Sequence, residues 1–247
     1  METVTTTVGG SEMEMLVFRP AGEGPFPAVI AAQHLPVAHA GLETDPFTIA
    51  VGERLAAAGY VCLIPFLFHW WPKDEDIAVK RDGFRDDRTV ADLQAAWRFL
   101  ENDPGSDADR IGLIGHCWGG RVAWLGACHL PQLKAMVMLY GGRIRQPMGP
   151  ATTAGAVAPI TLAKRIPCPV MGIFGNEDQN PSPEDVDALD EALTTAGVSH
   201  FFHRYDGAGH GFQDFTNPER FRKAQSEDSW GKIDAFLAAQ LKTRAGT

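Results

Sequence analysis

Ile111-Gly112-Leu113-Ile114-Gly115-His116-Cys117-Trp118-Gly119-Gly120 decides how this chain is read. A short apolar strand runs into a Gly-x-Cys-x-Gly-Gly turn, and a helix-forming segment follows. The pattern is that of a nucleophile elbow, with cysteine where serine more often stands. A residue at the tip of a strand-to-helix turn is held in strained backbone geometry, and its neighbours two before and two after are crowded. Gly115 and Gly119 carry no β-carbon, so the turn can close and Cys117 can project. The amides that open the following helix then face the sulfur, where they favour a thiolate and a developing oxyanion. The competing reading is a glycine-rich turn around a buried core cysteine, and the rest of the chain has to separate the two.

Outward from the elbow, apolar runs at residues 28–32, 60–65, 134–139 and 170–175 read as strands covered on both faces. Residues 13–20 read as an outer strand and 200–205 as the last one. Between them lie helical patterns at 47–58, 89–100, 118–129, 183–196 and 226–241. The first is opened by Asp45-Pro46 and closed by Gly59; the fourth is closed by Gly197. Strands alternating with helices predict an α/β domain over residues 1–247: a mostly parallel, doubly wound sheet of about seven or eight strands flanked by helices. No large cap domain is expected. Residues 141–167, rich in Ala, Gly and Pro, are long enough to form a small lid.

The chain has 247 residues and a net charge of -9, which speaks against a nucleic-acid partner. No apolar run approaches the ~20 residues that span a bilayer, so no membrane association is expected. Residues 1–14 are polar and acidic, unlike a secretory signal. Cys62, Cys117, Cys128 and Cys168 form no Cys-x-x-Cys pair, and a reducing cytoplasm is the expected location.

In doubly wound sheets, active sites lie at the carboxyl ends of the strands. His34, His69, Cys117, Asp178 and His210 all fall there. A cysteine nucleophile needs a base or a favourable dipole, because a free thiol is mostly protonated at neutral pH. His210, in the glycine-rich turn Gly207-Ala208-Gly209-His210-Gly211-Phe212, is the candidate base. Asp178, in Gly175-Asn176-Glu177-Asp178, is the candidate group that orients it. The order nucleophile, acid, histidine is the one found in hydrolases built on such sheets.

These three motifs, with the strand-loop-helix from Ala28 to Pro65, resemble the dienelactone hydrolase family over nearly the whole chain. The resemblance implies a cofactor-free cysteine hydrolase of the α/β-hydrolase fold, acting on lactones or activated esters. By position it implies Cys117 as nucleophile, Asp178 as acid, His210 as base, and the backbone amides of Leu35 and Trp118 as the oxyanion hole. Where the family carries a glutamate that helps to generate the thiolate, this chain has His34. That histidine either accepts or stabilises charge at the thiol or only lines the pocket. The family's carboxylate-binding arginine, expected soon after the histidine, is replaced by Gln213-Asp214-Phe215. An acid there would repel a substrate carboxylate, so this departure bears on the dienelactone substrate itself, while a dienelactone hydrolase (carboxymethylenebutenolidase)-like hydrolysis remains the expected chemistry. Arg81, Arg85 and Arg88 offer another anchor or simply a solvated helix face.

Phe66, Phe68, His69, Trp70 and Trp71 follow a strand end and either wall the pocket or form a core or dimer patch. The substrate pocket is therefore expected to include His34, Phe68, His69, Trp70, Trp71 and Arg81. His34, His39 and His69 lack zinc-ligand spacing, and no metal is expected. The expected partner is a small ester or lactone, in a monomer or homodimer. A broad arylesterase with phosphotriester activity, and a non-catalytic binding protein on a hydrolase scaffold, remain as alternatives.

Overall fold

The computed structural model describes residues 1–149 and 157–243. The first half of the chain runs β1 (Glu2–Val8), β2 (Ser11–Phe18), β3 (Phe26–Ala32), α1 (Val37–Ala40), α2 (Pro46–Ala57), β4 (Val61–Pro65), α3 (Ile77–Asp82) and α4 (Asp86–Asn102). The second half runs β5 (Ser106–His116), α5 (Trp118–Ala127), β6 (Ala135–Leu139), β7 (Val170–Gly175), α6 (Pro183–Ala196), β8 (His200–Tyr205) and α7 (Lys223–Leu241). A 3₁₀ segment, Pro159–Arg165, precedes β7.

The strands form one eight-stranded sheet in the order β1-β2-β4-β3-β5-β6-β7-β8. β1 and β2 are antiparallel additions at one edge, and every pairing from β4 to β8 is parallel. β3, β4, β6 and β7 are apolar and almost wholly buried, as strands covered by helices on both faces must be. Successive residues of β5 address opposite faces. At Gly112 the near neighbour is Leu241 of α7, whereas Leu113 meets Gly126 of α5. α5 and α7 therefore cover opposite sides of the sheet. α2 lies beside α7, tied by Arg54 to Asp234 at 2.6 Å and by Arg54 stacked over Trp230.

Local signals set the helix ends. Asp45 accepts from the Thr48 amide at the head of α2, with Pro46 in the first turn. Ser182 and Asp185 form a reciprocal capping box on α6, and Gly197 closes it with a left-handed φ of 70°. β1 was not anticipated from the polar N-terminus. Exposure alternates along it, with Val4, Thr6 and Val8 turned inward and Thr3, Thr5 and Thr7 exposed, and the two-residue Gly9-Gly10 turn pairs Val8 with Ser11. An edge strand buries one face at most, so its composition looks like a loop. Likewise α3 forms within the charged stretch before residue 88.

The expected lid falls partly on residues 150–156, outside the described residues. The part before them is anchored. Buried Arg121 of α5 pairs with Asp86 and also donates to the carbonyls of Arg143 and Gln146. Asp86 accepts from the Met148 amide and donates its own amide to the Met148 carbonyl.

Candidate active site

Everything in the site is placed relative to the elbow between β5 and α5. Cys117 has φ 57° and ψ -117°, a conformation that side-chain-bearing residues rarely adopt. The chain holds it there by close backbone contact. A β-carbon on Gly115 would stand 1.8 Å from the Gly119 carbonyl oxygen, and one on Gly119 would stand 2.1 Å from that of Ala32. The Cys117 amide donates to the Leu139 carbonyl at 3.0 Å, fixing the turn to β6. Ala32 is in register with Gly115, so Gln33-His34-Leu35 leaves the sheet directly beside the sulfur.

Two further strand ends supply the partners. A β-carbon on Gly175 would lie 2.2 Å from the Ala208 carbonyl, so the loops after β7 and β8 meet backbone to backbone. The Glu177 amide closes that contact by donating to Ala208 at 2.9 Å. Across it, His210 Nδ1 lies 2.9 Å from Asp178 Oδ2, and His210 Nε2 lies 3.0 Å from Cys117 Sγ. Asp178 is buried, and its other oxygen accepts from the Asn180 amide. The backbone amides of Leu35 and Trp118 both reach the sulfur.

Electrostatics follow from this contact set. Burial alone would push the Cys117 thiol up. The hydrogen bond and charge of His210, with the two amides, outweigh it and hold the thiol below its ordinary value. Burial would lower His210, but Asp178 and Cys117 raise it well above the ordinary imidazole range. The pair therefore favours thiolate and imidazolium. Cys128 and Cys168, buried without such partners, are pushed up to about 12, and Cys62 goes higher still. His116, next to the sulfur in sequence, is pushed down to about 3 by burial and stays neutral. Its Nε2 meets Gln213 Oε1 at 3.1 Å, and Gln213 passes the chain on to Ser229.

The sulfur opens into a cleft lined by Leu35, Ile77, Trp118, His210 and four arginines: Arg81, Arg121, Arg143 and Arg220. Arg121 is spent on Asp86, and Arg81 pairs with Asp82 at 2.8 Å. Among the described residues, Arg143 and Arg220 have no ion-pair partner. Arg143 has φ 55°, pinned by Asn180 Oδ1 on its amide and Arg121 on its carbonyl.

Several expected pocket residues lie elsewhere. Phe68, His69, Trp70 and Trp71 are not among the lining residues. His69 and Trp70 both bond the buried carboxylate of Asp92, and His69 also bonds Ser11, which turns them inward under the β1–β2 edge. Phe68 is buried against Phe84, whose ring meets Trp118 edge-on at 4.8 Å, so it backs the wall rather than forming it. Trp71 packs at Gly83. His34 is buried away from the cleft, with Nε2 2.9 Å from Asp45 and its ring against Phe47. Asp214, expected to repel a carboxylate, does not line the cleft. It accepts from Thr216 and stands 3.8 Å from His34.

Residues 13–241 match the family model described as "Dienelactone hydrolase family". The chain belongs to the dienelactone hydrolase family. By that membership it is a carboxylic ester hydrolase. It is 31% identical over 239 residues to a protein of Salmonella typhimurium named "Putative carboxymethylenebutenolidase", covering 93% of this chain and 83% of that one. It is 26% identical over 246 residues to a Bradyrhizobium protein named "Probable 2-oxo-3-(5-oxofuran-2-ylidene)propanoate lactonase", covering 98% and 95%. A crystal structure described as a putative dienelactone hydrolase of Klebsiella pneumoniae superposes with a TM-score of 0.81 at 27% identity, over 96% of this chain and 98% of that one. The sheet and its helices are those of the α/β-hydrolase fold.

Sequence reasoning does not single out Arg143 or Arg220, which the structure brings to the cleft. Arg220 lies ten positions after His210, and Arg143 lies in the anchored loop after β6. No local motif marks either.

Two outcomes follow for this member of the family. Gly119→Ala should cost about 1–3 kcal/mol or more in urea unfolding, because its new methyl meets a backbone carbonyl that cannot move aside. Alkylation by iodoacetamide should be fastest at Cys117 and should persist well below pH 8. In His210→Ala the midpoint should move up to at least the free-thiol value of about 8.5; an unchanged midpoint would show that His210 does not ionise the sulfur.

Proposed function

We propose that this dienelactone hydrolase homologue cleaves lactones or activated esters bearing an anionic group, through a thioester on Cys117. The observation that carries the reading is the continuous contact Cys117–His210–Asp178 beside two converging amides. Thiolate and imidazolium form the resting pair. The sulfur attacks the carbonyl carbon, and the oxyanion is held by the Leu35 amide of the loop after β3 and the Trp118 amide at the head of α5. Collapse expels the alkoxide, which takes the proton from His210 Nε2. In a lactone that alcohol stays tethered to the acyl group. Neutral His210 then takes a proton from water as the oxygen attacks the thioester. The second collapse releases the acid and restores the thiolate, while Asp178 keeps Nδ1 protonated throughout.

The anionic preference rests on Arg143 and Arg220. The protein as a whole carries a charge of -9 and cannot attract an anion from a distance. Two guanidiniums with no carboxylate in ion-pair contact among the described residues, in the same cleft as the sulfur, supply that attraction locally, although Asp82 offsets part of the Arg143 charge. The arylesterase and phosphotriester alternative rested on an aromatic wall from residues 66–71 and on Asp214. Neither reaches the cleft, so we set it aside. All four cysteines are unpaired, which suits a reducing cytoplasm.

Cys117→Ala should lower turnover of any cleaved ester by more than about 10³-fold. Retained turnover in a clean preparation would send the account back to a binding protein or another nucleophile. Arg143→Gln should raise KM for a carboxylate-bearing ester by about tenfold and leave KM for p-nitrophenyl acetate within about twofold. Equal changes for both esters would remove the anion-binding role.

A further inference from the structure

Lys80 is fully buried, although it lies in α3, a short helix within a charged stretch. Among the described residues no carboxylate is in ion-pair contact with it. Burial pushes its ammonium down, and Glu75 and Asp74 offset this only through longer-range attraction. Its Nζ donates instead to two backbone carbonyls, that of Ala38 at 2.6 Å and that of Lys73 at 2.9 Å. Taking an ammonium out of water costs free energy that a methionine of similar length would not cost. The charge therefore calls for a reason beyond filling space.

What the ammonium holds is the loop after β3. Its single helical turn, α1, is too short to be stable by itself, and its last carbonyls have no helical donors. The Ala38 amide donates to the Leu35 carbonyl at 2.9 Å, and the Ala38 carbonyl takes the Lys80 ammonium. On the other side of Leu35, the His34 ring is tied to Asp45. Leu35 stands between these two anchors, with its amide on the Cys117 sulfur. Leu35 and Pro36 line the Cys117 cleft, and so do Ile77 and Arg81 of α3. Lys80 thus joins two of the segments that build the cleft.

We propose that Lys80 is a positioning residue for the reaction: by clamping α1 it fixes the Leu35 amide where the oxyanion forms. The inference rests on the hydrolytic reading above and deepens it, giving a residue outside the Cys117–His210–Asp178 line a share in the rate. An ammonium suits the task because it bonds two loops at once, and bonds to a charged donor are stronger than neutral ones.

Hydrolysis of p-nitrophenyl acetate is measured per Cys117 titrated with iodoacetamide at about pH 6, where the thiol of an unfolded chain is mostly protonated and escapes the count. Lys80→Met keeps the apolar stem and loses both bonds; Lys80→Gln is a shorter, polar replacement. Each should lower kcat by at least about tenfold with KM within about twofold, since an oxyanion donor acts in the transition state. The pH midpoint of Cys117 alkylation should also rise by at least about half a unit, because the Leu35 amide bonds the sulfur before any substrate arrives. Lys73→Gln removes an exposed charge from the same stretch and should change neither quantity. An unaltered kcat per titrated site overturns the proposal, and so does an equal effect of Lys73→Gln. Lys80 variants that do not fold would make the residue part of the core alone and would overturn it too. If the parent cleaves no ester, the hydrolytic reading has failed instead and the alkylation midpoint decides. A rise confined to the Lys80 variants then supports the clamp on Leu35, and no rise overturns it.

Discussion

Where the start of α5 presses on the end of β3, two backbones approach more closely than any side chain permits. The missing β-carbons of Gly115 and Gly119 let the Ala32 carbonyl, the elbow and the first turn of α5 share one small volume. Cys117 takes a left-handed φ because the hydrogen bond from its amide to Leu139 and the helix that starts at Trp118 leave it no other path. Strain of this kind persists only where surrounding structure over-determines it. The result is geometric. One amide from the loop after β3 and one from the head of α5 converge on the sulfur because the two elements touch.

The second constraint is electrostatic, and it concerns how the sulfur is ionised without help from His34. His34 does not address the sulfur. It is held by Asp45, which also caps α2, so its ring belongs to the scaffold behind the Leu35 loop. The thiolate must then be secured by His210 and the two amides alone. The neighbouring His116 does not interfere, because burial keeps it neutral and Gln213 satisfies its nitrogen. Charge in the site is thus confined to the Cys117–His210–Asp178 line and to the arginines at the mouth of the cleft.

The legible parts of the sequence were those in which local chemistry and global placement agree. Continuous apolar runs marked β3, β4, β6 and β7; Asp45-Pro46, Pro183 and Gly197 marked helix ends; glycines marked the three close approaches that join Cys117, Asp178 and His210. The illegible parts have physical reasons. β1 is an edge strand, and threonines on an exposed face look like a loop. The aromatic run after β4 has the composition of a pocket wall, but composition does not say which way a side chain turns. Burying the His69 imidazole and the Trp70 indole beside the Asp92 carboxylate satisfied three polar groups at once and drew the run inward. Arg143 and Arg220 reach the cleft from loops whose paths depend on tertiary contacts, so spacing from His210 could not find them.

One side chain links the elbow that carries the sulfur to the loop that carries Arg143. Arg121 sits in the first turn of α5, four residues after Cys117. Its guanidinium is held by Asp86 and caps the carbonyls of Arg143 and Gln146. The helix whose N-terminus faces the sulfur therefore also sets the loop that carries Arg143. Asp86 belongs to the start of α4, and by bonding both Met148 backbone groups it extends the same clamp to the end of that loop. A buried arginine on which one carboxylate and two carbonyls converge has little freedom to rearrange. The distance between the sulfur and the Arg143 wall is accordingly a property of the core and not of a mobile loop. A substrate whose charge and carbonyl are spaced to match would arrive already aligned, and much of the orientational cost of reaction would be met by binding.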